Sequence, residues 1–330
     1  MKLNSLQDIA GAFNGLKALI IGDIMVDAYV WGKVDRISPE APVPVVHVSK
    51  RESRMGGAAN VAKNIKALGA EPVICALVGE DQAGSDLLDL FVERNIPTEG
   101  IIQSKERVTT VKERLLAGSQ QLMRVDSEED RPLSAEEHKE IMERIRLLLP
   151  ECDVVIFEDY DKGVINEHLV EEVVSMAREK GIPTVVDPKK RNFLAYRRVD
   201  LFKPNLKEIK EGLKIDFEAK KPEELRDAVR QLLAALNAEA ALVTMSELGV
   251  YIDNGTEHHH IEAHIRQISD VSGAGDTVIS IASLCMALKL PLDFTAALSN
   301  LGGGLVCEHL GVVPIDKERL FAEAAENKLL

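Results

Sequence analysis

Short apolar runs alternate with longer amphipathic stretches along most of the chain. The short runs are rich in β-branched residues and predict strands, whereas apolar positions spaced three and four apart predict helices. Because strands and helices alternate with no room for hairpins, we expect right-handed crossovers and a mostly parallel sheet with helices on both faces. The predicted strands are 18–21, 73–78, 154–157, 184–186, 201–202 and 241–243, and the predicted helices are 58–68, 84–94, 135–148, 167–180, 223–236 and 277–288.

Two stretches break this alternation. Residues 42–48 and 108–116 are extended in character, and neither is followed by a crossover helix. Together with residues 121–125 they predict a small antiparallel sheet that projects as a lid over the strand ends, where parallel sheets bind their ligands. The alternative is that these stretches are edge strands of the main sheet. We therefore expect one α/β domain over residues 1–330, with lid strands inserted at about 30–50 and 106–126.

Composition narrows the partners of this chain. The 330 residues carry a formal net charge of −14, which argues against nucleic acid or an anionic membrane as a partner. A phosphorylated substrate would then need locally clustered Lys and Arg. The four cysteines lie far apart inside apolar runs and are typical of reduced thiols in a cytoplasmic protein, and no apolar run approaches the length of a membrane span.

The most informative motif is the octet at residues 270–277, Asp-Val-Ser-Gly-Ala-Gly-Asp-Thr, which opens the last predicted helix. Its turn leaves the backbone N–H groups of Gly273, Ala274 and Gly275 beside the positive end of the helix dipole, where they can hold an anion. Asp276 follows directly and can take a proton from a nucleophilic hydroxyl. The alternative is structural, because an acidic residue in a first turn suits the dipole in any case.

This octet resembles the C-terminal signature of the ribokinase (PfkB) family of sugar kinases, and residues 56–60 resemble the N-terminal signature. Residues 22–27, 203–208 and 243–249 follow the family order, so the resemblance spans nearly the whole chain. It implies a ribokinase-like α/β fold whose β-sheet lid closes over the sugar and often joins two subunits. It also implies ATP and Mg²⁺ as cofactors and admits a monovalent cation.

Further stretches narrow the resemblance to the bacterial D-glycero-β-D-manno-heptose-7-phosphate kinases, which make the heptose 1,7-bisphosphate used for lipopolysaccharide core sugars. In some relatives the kinase is fused to a nucleotidyltransferase, and here we expect the kinase activity alone. Kinases of another sugar or sugar phosphate, such as ribose, fructose 6-phosphate or a nucleoside, are the first alternative, and a non-catalytic sugar-sensing module is the second. The stretches that narrow the resemblance are 36–45, 120–126, 159–163 and 187–189.

Five residues are candidates for binding the acceptor sugar. Asp23 and Asp27 follow a predicted strand, where carboxylates can accept hydrogen bonds from sugar hydroxyls, although a solvated loop explains them equally well. The resemblance favours Asp27. Gly56 and Gly57 would let the backbone approach the sugar, and Asn60 offers both a donor and an acceptor. The alternative for these three is an ordinary helix start.

Five basic residues lie inside the specific motifs of this acidic chain: Arg36, Lys112, Arg124, Lys162 and Lys189. A sugar that carries a distal phosphate needs a cationic pocket, and we expect Lys162, Lys189 and, less directly, Arg124 to be site residues. Surface charge is the ordinary explanation for any single Lys or Arg.

Asn205 and Glu208 are spaced three apart after Lys203-Pro204, so both lie on one face of a helix that begins there. The resemblance implies that this pair organises Mg²⁺, commonly through water, while a capping arrangement of the two is the alternative. A run of three glycines after Asn300 stands where mainly alanines are expected beneath the adenine. The predicted nucleotide-binding residues are Lys189, Asn205, Leu206, Lys207, Glu208, Thr244, Ser246, Gly249, Gly273, Gly275 and Asn300.

Two apparent motifs are not expected to bind ligands. Three consecutive histidines at 258–260 point to alternate faces of an extended strand and cannot converge on one metal ion, so we predict an edge strand there. Gly273 and Gly275 begin a dinucleotide fingerprint, but Val278 occupies the place of its third glycine.

The expected assembly is a homodimer through the lid.

Overall fold

The computed structural model describes residues 5–118 and 120–329. Thirteen strands are present in these residues: β1 (Lys17–Gly22), β2 (Ile24–Ile37), β3 (Pro44–Gly57), β4 (Glu71–Gly79), β5 (Ile101–Ser104), β6 (Val111–Ala117), β7 (Gln120–Ser127), β8 (Val154–Glu158), β9 (Thr184–Asp187), β10 (Leu201–Phe202), β11 (Ala240–Thr244), β12 (Val250–Asp253) and β13 (His258–Ile261).

Ten α-helices accompany the strands in the same part of the chain: α1 (Leu6–Phe13), α2 (Ala58–Ala67), α3 (Gln82–Glu93), α4 (Ala135–Leu148), α5 (Glu167–Lys180), α6 (Leu206–Leu213), α7 (Pro222–Leu236), α8 (Ala274–Ala287), α9 (Leu292–Val306) and α10 (Lys317–Glu326). No helix of the described residues has both the length and the apolar character needed to cross a membrane.

Nine strands form one sheet in the order β13-β12-β11-β10-β9-β8-β1-β4-β5. All neighbours are parallel except at one edge, where β12 pairs antiparallel with β11 and β13 pairs antiparallel with β12. The buried side chains of β1 alternate between two apolar clusters: Ala18 and Ile20 pack in one, and Leu19 and Ile21 pack in the other. Helices α1, α2, α3, α8, α9 and α10 cover the first face, and α4, α5, α6 and α7 cover the second.

A second sheet of four strands, in the order β3-β2-β6-β7, forms the predicted lid. Its outer pairs are antiparallel, but β2 and β6 run parallel, so the expectation of an antiparallel sheet is wrong for the central pair. The reason is topological, because the chain returns to the lid at β6 only after crossing the main sheet through β4, α3 and β5.

The largest difference from the predicted elements concerns β2. Residues 22–27 are expected as an exit from the first strand, yet β2 already begins at Ile24 and continues for 14 residues into the lid. The charged Asp27 interrupts the apolar run and conceals this strand. The small residues of α9 likewise conceal a buried helix, whereas the edge strand predicted at the three histidines is confirmed as β13.

The topology brings several chain segments to one edge of the main sheet. The C-terminal ends of β1, β8, β9 and β11 meet there, as expected for a parallel sheet. The N-terminus of α2 is tied to the same edge, because the Ala58 N–H donates to the Asp23 carbonyl at 3.0 Å. The start of α8 joins them through contacts of α8 with α2, β8 and β9.

Candidate active site

Asp276 lies in the first turn of α8 and is only 6% exposed. Asn60 on α2 donates a hydrogen bond to its Oδ2 at 2.6 Å, and the Tyr160 hydroxyl donates to its Oδ1 at 3.0 Å. Burial raises the pKa of the Asp276 carboxyl, and these two hydrogen bonds offset only part of that effect, so its pKa stays above the ordinary value. Asp276 is therefore a buried carboxylate that can accept a proton more readily than an exposed one.

The glycine turn before α8 has the backbone that its sequence requires. Gly273 caps the helix with φ +81°, a left-handed conformation that residues with a side chain rarely adopt. Of the three predicted N–H donors, that of Ala274 is already used, because it donates to the Val271 carbonyl at 3.3 Å. The N–H groups of Gly273 and Gly275 have no acceptor among the described residues, so they remain available to an anion.

Three carboxyl groups converge beneath this turn. One oxygen each of Glu158, Asp187 and Asp276 lies within 4.8 Å of the others, and all three side chains are buried. Asp187 pairs with Lys203 at 2.8 Å. Glu158 is fully buried, and neither carboxylate oxygen has a hydrogen-bond partner in the described residues. Burial, together with the charges of Asp187 and Asp276, raises the pKa of Glu158 well above its ordinary value.

A cavity of about 1050 Å³ opens next to Asp276 and extends past the ends of β9 and β11. Its size suits a nucleotide. Sequence reasoning did not identify Tyr160, Asp187 and Lys203 as lining residues, although each follows or ends a predicted strand. The predicted residues that line it are Lys189, Asn205, Leu206, Lys207, Glu208, Thr244, Ser246, Gly249, Gly273, Ala274, Gly275, Asp276 and Asn300.

Asn205 and Glu208 form the capping box of α6. Asn205 Oδ1 accepts from the Glu208 N–H at 2.9 Å, and Glu208 Oε2 accepts from the Asn205 N–H at 2.8 Å. The other carboxylate oxygen, Oε1, lies 3.6 Å from Lys189 Nζ. Burial lowers the pKa of Lys189, but the nearby carboxylates, Asp187 and Glu208 foremost, have the larger effect and raise it above the ordinary value. The lysine is therefore cationic.

The glycine run after Asn300 has a packing reason. A Cβ on Gly303 would lie 2.7 Å from Val278 Cγ2, and one on Gly302 would overlap Ile281 Cδ1. Glycine at these positions therefore lets α9 pack closely against α8. Asn300 itself donates to the Glu262 carbonyl at 2.8 Å and holds the segment that follows β13 at the cavity.

The carboxylate of Asp23 is used by the backbone of the loop after β8, and its predicted contact with the sugar stays a prediction. Its two carboxylate oxygens accept backbone N–H bonds from Tyr160 (2.8 Å), Lys162 (3.0 Å) and Val164 (3.1 Å). Burial and the neighbouring Asp159 raise its pKa to about 6 in spite of these bonds. Asp23 therefore fixes the loop that presents Tyr160 to Asp276, and it is a positioning residue.

Asp27, Gly56 and Gly57 lie at the base of the lid, where β2 pairs with β3, and α2, which carries Asn60, follows Gly57 directly. Asp27 pairs with Arg114 at 2.6 Å, and a Cβ on Gly56 would overlap the Asp27 carboxylate. All four residues are buried between Asp276 and the lid, and their contact with the acceptor stays a prediction.

Arg124 lies on β7 directly opposite Arg114 of β6. It is half exposed and makes three hydrogen bonds to Asp126, its neighbour on the same strand face. An exposed pair of this kind contributes little free energy, so a substrate group could replace Asp126 at low cost. The role of Arg124 in substrate binding stays a prediction.

Three further cations of the lid, Arg54, Lys112 and Arg114, and Lys162 of the loop after β8 are named here the lid cation cluster. Arg54 and Arg114 lie on the Tyr29 ring, with 4.8 and 5.4 Å to its centroid. Lys112 lies 5.4 Å above the ring of Tyr160, the residue that also contacts Asp276.

Lys112 and Lys162 differ in their counter-ions. Lys162 pairs with Glu128 at 2.9 Å, whereas Lys112 has no carboxylate within ion-pair distance in the described chain. Burial lowers the pKa of Lys112, and the charge of Lys162 lowers it further. The sequence carried a usable signal, because Lys112 and Arg114 are two residues apart on a strand and so share one face.

Known proteins place this geometry in context. The family model of the pfkB family carbohydrate kinases matches residues 16–318. The chain is 37% identical over 333 residues to the bifunctional protein HldE of Syntrophotalea carbinolica, and the match covers all of this chain and 67% of that protein. It is 39% identical over 296 residues to HldE of Wolinella succinogenes, with coverage of 89% and 61%. The chain thus spans about two thirds of the length of such relatives.

Among solved structures, the chain is similar to phosphofructokinase-2 from Escherichia coli in complex with fructose-6-phosphate. The TM-score is 0.78 at 18% identity, and the match covers 94% of this chain and 99% of that chain. At this identity the likeness establishes the fold, and the predicted ribokinase-like α/β fold is confirmed.

The contact between Tyr160 and Asp276 predicts a pH effect. The Tyr160 hydroxyl stabilises the ionised carboxylate, so Tyr160→Phe should raise the pKa of Asp276 and move the acidic limb of the kcat/KM profile to higher pH. A hydrogen bond to a charged group is worth about 1.5–3 kcal/mol, which corresponds to a displacement of about one pH unit or more. Tyr251→Phe is the control, because Tyr251 is a buried tyrosine bonded to the remote Asp253. An unmoved limb in Tyr160→Phe would contradict this role.

Proposed function

The chain belongs to the pfkB family of carbohydrate kinases and transfers a phosphoryl group to a sugar hydroxyl, and on that premise we propose that its acceptor is D-glycero-β-D-manno-heptose 7-phosphate. The donor is ATP, and the anomeric C1 hydroxyl receives the phosphoryl group to give heptose 1,7-bisphosphate. We propose a cytoplasmic setting, where ATP is available, and the four free, buried cysteines fit it. The further activity of bifunctional relatives lies outside this proposal.

The observation that carries the proposal is that cations lie near Asp276 on the lid side of the site. Lys112 lies over the ring of Tyr160, whose hydroxyl donates to Asp276, and Arg114 pairs with Asp27 at the base of the lid. An acceptor that presents a hydroxyl to Asp276 and a phosphate to Lys112 would place opposite charges in contact. A neutral acceptor such as ribose or a nucleoside would leave the half-buried Lys112 without a counter-ion.

The chain's own groups account for the transfer step. The oxygen of the C1 hydroxyl attacks the γ-phosphorus of ATP while Asp276 accepts the hydroxyl proton. As the new P–O bond forms, the bond between the γ-phosphorus and the β,γ-bridging oxygen breaks, and ADP leaves with that electron pair. The N–H groups of Gly273 and Gly275 and the ammonium of Lys189 face the charge that develops on the transferred group. Closure of the lid over the acceptor excludes water, which would otherwise compete as the nucleophile.

The donor set also fits Mg²⁺, which prefers carboxylate oxygen and water. Glu208 Oε1 is free of the capping box and faces the cavity, and the Asp187 carboxylate lies at its floor. When bound, the ion neutralises charge on the nucleotide phosphates. We propose that Asn205 and Glu208 hold it through water, and their capping bonds fix Glu208 for that purpose.

An acceptor panel tests the proposal, with wild-type protein and Lys112→Ala assayed on heptose 7-phosphate, heptose, ribose and fructose 6-phosphate. We expect wild-type kcat/KM to be highest for heptose 7-phosphate. We expect Lys112→Ala to lower that value about 10–100-fold, the scale of a charged hydrogen bond, and to leave heptose nearly unchanged. Lys162→Ala should act in the same direction, with little effect on the apparent affinity for ATP.

Lys33→Ala is the control, since Lys33 is an exposed lysine of β2 on the same lid. A preference of the wild-type protein for ribose or fructose 6-phosphate would overturn the heptose assignment. Equal losses on heptose and heptose 7-phosphate in Lys112→Ala would overturn the phosphate contact.

We also propose a homodimer in which two lids pack together. The lid exposes several large apolar side chains, among them Ile37 (61%), Val43 (51%), Met123 (57%) and Val125 (49%). A small sheet with an exposed apolar face needs a partner to bury it. Val111 is not available for this contact, although its sequence position suggests it, because it packs against the main core.

Light scattering at micromolar concentration tests the dimer. We expect a mass of twice 36.3 kDa for the wild-type protein and a monomer for the pair Met123→Glu with Val125→Glu. Leu147→Glu, at an exposed site on α4, is the control that should remain dimeric. A wild-type mass of one chain across the concentration range would contradict the proposal.

A further inference from the structure

Two histidines and a glutamate converge on the helical layer that lies across the main sheet from α8. His138 lies in the first turn of α4, and His168 and Glu172 are one turn apart on α5. Their ligand atoms, one from each residue, all lie within 4.8 Å of one another. None of them contributes to the cavity beside Asp276, so this cluster is separate from the active site.

The three donor atoms have the spacing of a tetrahedral metal site. The Nε2 atoms of His138 and His168 lie 3.5 and 3.1 Å from the same carboxylate oxygen, Glu172 Oε1. Zinc bonds of about 2.0–2.1 Å at tetrahedral angles require donor separations of about 3.4 Å. Both observed separations are close to this value, so an ion could bind with little movement of the helices.

The two imidazoles lie side by side, with ring centroids 4.9 Å apart and planes within 9° of each other. A metal ion lies in the plane of each imidazole that binds it, so the His168 ring must rotate about its side chain for both Nε2 atoms to reach one ion. His168 is 70% exposed and has room for this rotation. His138 Nε2 is shielded from solvent and has no hydrogen-bond partner among the described residues. An unpaired buried nitrogen costs free energy, and a metal bond would remove that cost.

Arg146 orients the carboxylate of Glu172. Its Nη2 donates to Glu172 Oε2 at 2.8 Å, which leaves Oε1 directed at the two histidines. Ligating carboxylates are commonly oriented by a hydrogen bond of this kind. Two imidazole nitrogens and one carboxylate oxygen form a donor set that binds zinc in preference to magnesium or calcium.

From this geometry we propose that His138, His168 and Glu172 form a binding site for a zinc-type divalent transition metal ion. Water would fill the fourth position. Because His138 belongs to α4 and the other two ligands to α5, the bound ion links the two helices that cover this face of the sheet. The proposal is independent of the acceptor sugar and of the kinase reaction.

Metal binding by the whole chain provides the test. We expect wild-type protein to bind Co²⁺ with the visible absorption of a four- or five-coordinate site, and Zn²⁺ to displace it. His168→Ala should weaken Zn²⁺ binding at least about 100-fold, since even residues that only orient a ligand contribute 10–100-fold. His168 is 70% exposed, so its loss should leave the fold intact. His138→Ala should have the same effect on Zn²⁺ binding.

His309→Ala is the matched control, because His309 is an exposed histidine on another part of the surface. A second readout is the thermal midpoint, which should rise with Zn²⁺ in the wild-type protein and in His309→Ala but not in His168→Ala. Equal Zn²⁺ affinities of wild type and His168→Ala, or absence of the Co²⁺ absorption, would overturn the proposal. So would an equal loss in His309→Ala.

Discussion

The site depends on one electrostatic constraint: Asp276 must remain ionisable while it is buried beside the place where a second anion binds. Burial alone would keep its proton in place, and Asp187 adds to that effect. Asn60, Tyr160 and Lys189 act in the opposite direction. The result is a carboxylate that can take up a proton, beside free backbone N–H groups that we propose stabilise charge on the group being transferred.

Much of the surrounding structure keeps that balance in place. Asp23 uses its carboxylate to hold the loop that carries Tyr160, and the close approach of α9 at Gly302 and Gly303 holds α8 against the sheet. Lys112 of the lid lies over the ring of Tyr160, whose hydroxyl donates to Asp276. On the proposed function, Tyr160 would therefore link the residue that binds the acceptor phosphate to the residue that takes the proton.

The sequence predicted those features that depend on local chemistry. The glycine turn, the helix after it and the capping pair Asn205 and Glu208 follow from residues close together in the chain. The features that it did not predict depend on partners that are distant in sequence. The Asp23 carboxylate finds three N–H donors more than 130 residues away, and the parallel pairing of β2 with β6 depends on the path of the intervening chain. The pairing of Arg124 with Asp126 follows from their spacing on β7, whereas the lack of a counter-ion for Lys112 depends on residues brought near it by the fold.

The account rests on Asp276 as the proton acceptor, and the Asp276→Asn variant tests this most directly. The amide keeps the size of the side chain but cannot take the proton, so we expect kcat to fall at least about 10²-fold while ATP binding changes only a few-fold. Asp227→Asn, on the exposed face of α7, should leave kcat unchanged. A kcat for Asp276→Asn close to that of the wild-type protein would contradict the account.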